Sequence, residues 1–425
     1  MFELFVVLAL SSPPGPNPPV RLSELLEEAR RRNPAIAAAR EQARGEAAAV
    51  GAAGAVDDPM VMVQLWNMPV DLSTVPLMVN LTQTIPLGGK RAARREEAEA
   101  LAQASRAAVT TRARDVEDEV ARAYFDLYLA DRTIDVDGEI ARTLGTLVAA
   151  ASARIAAGRG EEAEALRAES EQLKVESDRE AARGRRAAAV AKLVALLDRP
   201  PGSDLGRTED PGLLAELPAP EELRARALRE RPEILSADAA TGAAVARLRL
   251  SHAERIPDLT ASAGEMHMFG GTTSPSDFLF LGVQVNLPIF GGKSGARIAG
   301  AEAGLAASRA DKRALENRVF AEVADALAEV QAETRQAQLH HKLIPLARQA
   351  LQSALASYSA GRGAFSMVLD AERDLEMHEL DLATHVAAYS QRLADLERAV
   401  GGEVGLVRAA ASGADLHLDH EEPSR

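Results

Sequence analysis

The chain has 425 residues and no cysteine, which excludes disulfide scaffolds, thiolate metal sites, cysteine nucleophiles and lipidation at an N-terminal cysteine. It is 47% hydrophobic but only 3% aromatic, with a net charge of −14. That balance favours long helices packed through small side chains, and it excludes nucleic acid, whose phosphates call for a basic face.

Residues 1–20 carry a short apolar core, Leu4 to Leu10, followed by Ser11-Ser12 and a Pro-rich leader. The pattern resembles an export signal, although Glu3 stands where a basic n-region belongs; a disordered N-terminus is the alternative. Beyond it, no apolar run approaches the ~20 residues of a spanning helix. Over 22–57, Leu22, Leu25, Leu26 and Ala29 share one helical face, with Asn33-Pro34 as an early break. A hairpin is expected at 60–85. In its second strand Leu77, Val79, Leu81 and Ile85 alternate with Asn80, Thr82 and Thr84, the period of a strand with one apolar and one polar face. After Gly88-Gly89-Lys90 an Ala/Glu/Arg/Leu run of about seventy residues predicts about 100 Å of helix. Gly158-Arg159-Gly160 turns it into a return helix over 161–198. A linker, 200–219, follows this first repeat (21–199).

The second repeat, 220–402, has the same order: helix 220–255, hairpin 258–287, a long helix containing Pro345, the turn Gly361-Arg362-Gly363, and a return helix over 364–400. Its second strand alternates Leu279, Leu281, Val283, Val285 and Leu287 with Gly282, Gln284 and Asn286. The tail, 403–425, is expected to be flexible, acidic and His-containing. The duplication is read from landmarks. Asn33-Pro34 matches Arg231-Pro232, Pro59 matches Pro257, Pro86-Leu87-Gly88-Gly89-Lys90 matches Pro288 to Lys293, and Gly158 matches Gly361. The length change falls between Pro59 and Pro86, in the hairpin, where insertions are tolerated.

Four strands cannot close a membrane barrel, and an open edge in lipid leaves backbone groups unpaired at several kcal/mol each. Strands from several copies are therefore expected to close together, and three copies supply about twelve. The charged helices would project from the bilayer.

With both copies in view, residues 20–402 resemble the TolC family of outer-membrane factors. The resemblance rests on the junction Pro86 to Arg91 and on Tyr358-x-x-Gly361 leading to Leu369-Asp370-Ala371. It implies a mainly α fold with a small β part, assembled as a homotrimer with a 12-stranded β-barrel continued by a periplasmic α-helical barrel. It also implies an outer-membrane location, no enzymatic activity, no cofactor, and partners in a periplasmic membrane-fusion adaptor and an inner-membrane pump of the RND type. The absence of a lipidation cysteine departs from many members and leaves anchoring to the barrel in outer-membrane lipid. Pro86, Gly88, Gly89, Pro288, Gly291 and Gly292 mark the strand–helix junctions. Gly158, Arg159, Gly160, Gly361, Arg362 and Gly363 mark the tips, read either as soluble turns or as adaptor contacts.

Asp370, Asp374, His378, Asp381 and His385 are spaced by four, four, three and four, and so share one helical face; Glu171 and Asp178 hold equivalent places in the first copy. Three readings stand: a solvated face, a lumen stripe that gates the tunnel and favours cations, or a metal site. The resemblance places an acidic constriction near Asp370, but Met367 replaces a second acid expected a turn earlier. Met60, Met62, Met68, Met78, Met266, His267 and Met268 gather in the strand regions, as packing residues or as soft-metal ligands. Asp415 to Glu421 is either a disordered acidic tail or a chelator, and Trp66 is a candidate interface anchor. Asn67-Met68-Pro69 and Pro86 to Lys90 resemble the heavy-metal branch of the family, so the expected cargo is metal cations. Drugs, a type I secreted polypeptide, and a soluble periplasmic coiled-coil scaffold are the alternatives. No metalloprotease, phosphate-loop or nucleophile-elbow motif is present.

Overall fold

The computed structural model describes residues 19–65, 77–158, 160–212, 217–267, 277–288 and 291–404. The elements run α1 (Leu22–Arg32), α2 (Pro34–Ala53), β1 (Met60–Leu65), β2 (Leu77–Ile85), α3 (Lys90–Ala156), α4 (Glu162–Leu196), α5 (Pro220–Glu230), α6 (Pro232–Ala253), β3 (Leu259–His267), β4 (Asp277–Val285), α7 (Gly291–Ser359) and α8 (Phe365–Val400). The chain divides into two compact units, one from 37–112 with 228–318 and the other from the remaining segments. The expected helix over 22–57 is two helices. Asn33 ends α1 and accepts the Ala35 amide on its side chain at 2.9 Å, while Pro34 opens α2, where a missing N–H costs nothing. The second copy breaks in the same way before Pro232.

In the first unit the two hairpins join edge to edge in one antiparallel sheet of order β1-β2-β3-β4. Val61, Leu81, Ala263 and Leu281 lie in one row across all four strands, and Val63, Val79, Glu265 and Leu279 in the next. Because side chains alternate, this register collects the aliphatic Val and Leu residues on one face, with Glu265 among them. Leu279, Leu281 and Val283 are 81%, 82% and 72% exposed there, so this sheet carries its hydrophobic face outward. The opposite face carries Asn80, Thr82, Thr84, Thr260, Ser262 and Gln284; Thr84 and Thr260 hydroxyls meet at 3.1 Å. Phe280 lies over Gly264, its cross-strand partner, where a Cβ would come within 2.4 Å of the ring. Nearby, α6 packs on the start of α3 through Arg249–Glu96 (2.7 Å) and on α7 through Lys312–Asp238 (2.5 Å).

The second unit is helical. One core gathers Leu25, Ile36, Val120, Leu127, Leu193 and Leu197; another gathers Ile140, Leu144, Val175, Leu351, Tyr358 and Leu369. Pro345 lies inside α7, which continues through it. The 200–219 segment is more than a spacer. Leu205 is buried in the core, Val20 and Thr208 form a bridge, Tyr128 donates to Asp210 at 2.8 Å, and Arg207 grips Asp135 with two bonds.

Candidate functional site: junctions, tips and the α8 stripe

At the first junction Gly88 and Gly89 adopt left-handed backbone angles, φ +71° and +78°, a conformation that glycine takes without a Cβ penalty. A Cβ on Gly88 would also strike Ile256 at 2.4 Å. The turn delivers Lys90 into a buried position, where its ammonium donates to the Ile256 carbonyl at 2.7 Å and to Asp258 at 2.6 Å. The β2–α3 junction of one repeat is thereby locked to the turn that starts β3 of the other. The second junction differs. Gly291 and Gly292 already belong to α7, exposed and without close neighbours among the described residues, and Pro288 and Lys293 are exposed.

At the tips, Gly158 and Gly361 are again left-handed, φ +69° and +71°. In the second tip the Gly361 amide donates to the Tyr358 carbonyl and the Arg362 amide to the Ser357 carbonyl, closing α7 with hydrogen bonds to carbonyls its own helix leaves free. A Cβ on Gly160 would lie 2.9 Å from the Ile155 nitrogen, too close to fit, and one on Gly363 would lie 3.0 Å from the Tyr358 nitrogen, a tight contact. The two tips are tied together: Tyr358 donates its hydroxyl to Glu164 at 2.8 Å, and Arg154 donates to the Tyr358 carbonyl at 2.8 Å while lying over its ring. Arg362 is exposed. Arg159 lies outside the described residues.

The α8 stripe divides in two. Asp370 and Asp374 are exposed, whereas His378, Asp381 and His385 are half-buried and face α7. There they meet His340, whose ring lies 5.4 Å from that of His378 and 5.3 Å from that of His385. His385 shares a 2.7 Å contact with Glu333. Burial, reinforced by the neighbouring imidazoles and opposed by Asp381, lowers the His340 pKa. Nothing in the α8 spacing pointed to His340. Its signal lay in the repeat: with Gly158 matching Gly361, His340 falls on Asp137 and Asp381 on Asp178.

Of the two first-copy residues, only Glu171 differs from the exposed acids of α8. Glu171 is buried and bound by Arg373 at 2.7 and 3.1 Å, and that guanidinium holds its carboxyl below the usual range. Asp178 is exposed. Sequence reasoning missed Glu372, 1% exposed with neither carboxylate oxygen hydrogen-bonded among the described residues. Burial, then repulsion from Glu376 and Glu171, raises its pKa to about 7.

Met60, Met62, Met78 and Met266 occupy the face opposite the apolar one, with Met78 paired directly to Met266. Trp66, Met68, Met268 and the Asp415–Glu421 motif lie outside the described residues, as does the leader 1–18.

The comparisons with known proteins agree with this architecture. The chain is 26% identical over 294 residues to the cobalt-zinc-cadmium resistance protein CzcC of Cupriavidus metallidurans, an alignment covering 68% of this chain and 69% of that one. Among solved structures, CusC superposes with a TM-score of 0.77 at 22% identity over 93% of this chain and 96% of its own. The open-state MtrE outer membrane channel of Neisseria gonorrhoeae superposes with a TM-score of 0.77 at 23% identity, covering 90% and 89%. The outer membrane efflux protein family matches residues 25–199 and 223–402, both repeats. The chain therefore belongs to the outer membrane efflux proteins, the TolC-type outer-membrane factors, and is an outer-membrane channel protein rather than an enzyme.

Proposed function

We propose that three copies close a twelve-stranded barrel in the outer membrane and a helical tunnel below it, forming a passive exit duct for metal cations. The carrying observation is the sheet. β2, β3 and β4 have nine residues each, the low end of the ~9–11 that a tilted membrane strand needs. Their outward face is largely apolar, with Gln83 and the exposed Glu265 as polar exceptions, yet among the described residues β1 and β4 have no outer neighbour. In lipid those edges require partners, and identical copies supply them without an edge left over. Exposed leucines at heptad-like spacing, Leu166 and Leu173 on α4 and Leu339, Leu343 and Leu346 on α7, support lateral packing of the helices between copies.

The tips, Gly158 to Gly160 and Gly361 to Gly363, are assigned to the adaptor, which would couple the duct to an RND-type inner-membrane pump. Asp370 and Asp374 are assigned to the tunnel mouth, where a ring of carboxylates attracts cations. The CzcC likeness favours cobalt, zinc or cadmium as cargo. Reversal potentials of the reconstituted channel across a KCl gradient test the assignment. Cation preference is expected in the parent channel and a weaker one in Asp370→Asn/Asp374→Asn; an unchanged preference would remove these residues from the mouth.

A further inference from the structure

We propose that His340, His378 and Asp381 bind one borderline transition-metal dication (Zn2+, Co2+ or Cd2+) and so clamp α7 to α8 within a protomer. The inference goes beyond the duct reading, since it requires neither the trimer nor a metal cargo. Each of the three residues offers one ligand atom, and these atoms all lie within 4.8 Å of one another. His340 Nδ1 is 3.8 Å from Asp381 Oδ2. The Nδ1 atoms of His340 and His378 are both sealed from solvent, and neither has a hydrogen-bond partner among the described residues. A buried polar atom left without a partner is costly, and a metal ion satisfies both nitrogens at once.

Two imidazoles and a carboxylate form a donor set for zinc-like ions rather than for calcium or magnesium, which demand oxygen. Ligand atoms around tetrahedral zinc stand roughly 3.3 Å apart, so small side-chain rotations close the present arrangement. Asp381, 44% exposed, leaves an entry path and room for a water as fourth ligand. Beside the site, His385 is held by Glu333 at 2.7 Å and its ring lies 5.3 Å from that of His340. The repeat gives a contrast. At the positions matching His340, His378 and Asp381 the first copy has Asp137, Val175 and Asp178, two acids and no imidazole. The nitrogen donors belong to the second copy alone.

Full-length protein, purified in detergent without a polyhistidine tag and stripped with EDTA, is titrated with Co2+ while its visible d–d absorption is followed, then competed with Zn2+. One equivalent per protomer is expected. His340→Gln and His378→Gln are each expected to lose the absorption band and weaken binding by at least about tenfold. His417→Gln/His420→Gln, which disarms the tail, is expected to leave both unchanged. Asp381→Asn, a partly exposed position less prone to misfold, is read alongside with far-UV dichroism and is expected to weaken Co2+ binding by about tenfold. Absence of saturable one-equivalent binding, parental affinity in folded Asp381→Asn, or loss of the band only in the tail variant would each overturn the site.

Discussion

The ammonium of Lys90, 4% exposed, lies 2.6 Å from the carboxylate of Asp258, a residue 168 positions away in the other repeat. The pair joins the end of one hairpin to the beginning of the next. Removing one partner of a buried pair leaves the other charge uncompensated. Asp258→Ala is therefore expected to destabilise the protomer by roughly 3 kcal/mol, the low end for a buried pair because Asp258 is partly exposed. Lys90→Met, which removes the buried charge itself, should cost less. Thermal unfolding of the two variants in detergent, followed by dichroism, gives the order.

The internal repeat suggests a related contact between copies. Lys293 matches Lys90, and Asp58 occupies the position matching Ile256, whose carbonyl binds Lys90. Both are exposed. If β4 of one copy pairs with β1 of the next, Lys293 reaches the Asp57-Asp58 turn of that neighbour. If the copies form a heat-resistant oligomer on semi-native gels, as the duct reading expects, Lys293→Glu should weaken it and Asp58→Lys in the same chain restore part of it. Equal oligomer stability in all three proteins would rule the contact out.

Glu372 makes stability depend on pH. Its folded pKa, about 7, stands above the ordinary 4.5, so the unfolded chain releases this proton first as pH rises. Its contribution is complete below about pH 4.5 and is lost as pH climbs through 7. Glu376 and Glu171 raise the pKa, and Arg373 and Lys174 oppose them. Glu372→Gln, neutral at every pH, should match the parent near pH 5 and exceed it at pH 8. The gain is on the order of 2–3 kcal/mol per protomer. Unfolding midpoints at the two pH values test this.

Gly264→Ala brings a methyl group to 2.4 Å from the Phe280 ring and 2.5 Å from the Val79 carbonyl. The ring can swing aside, but the carbonyl belongs to the β2–β3 ladder. A loss of roughly 2 kcal/mol is expected, as for overpacking elsewhere, together with reduced outer-membrane yield. Gly291→Ala, with nothing near its missing Cβ, serves as the neutral comparison in the same fractionation.

Much of this fold is legible from residue order because its determinants are local. Period-two alternation at Leu77 to Ile85 and at Leu279 to Val285 marks strands whatever surrounds them. The Ala/Glu/Arg/Leu runs have no breaker strong enough to end α3 or α7, and Pro345 alone does not. The apolar face was legible in β2 and β4 taken singly, but joining the two hairpins depends on the β2–β3 register, which no local signal carries. The α8 stripe was legible as a face and not as an environment. Its spacing gives no hint that His340, 38 residues before His378, caps its lower half, or that Arg373 on a neighbouring face binds Glu171. Contacts between distant helices depend on packing, and only the internal duplication offers a way to anticipate them.

Oligomer closure is the claim on which the duct reading stands, and native mass spectrometry of the detergent-solubilised protein tests it most directly. A dominant species of three times the mass of the denatured chain is the expected result. A monomer or dimer, stable in detergent at all concentrations, would leave β1 and β4 without partners and would contradict the account.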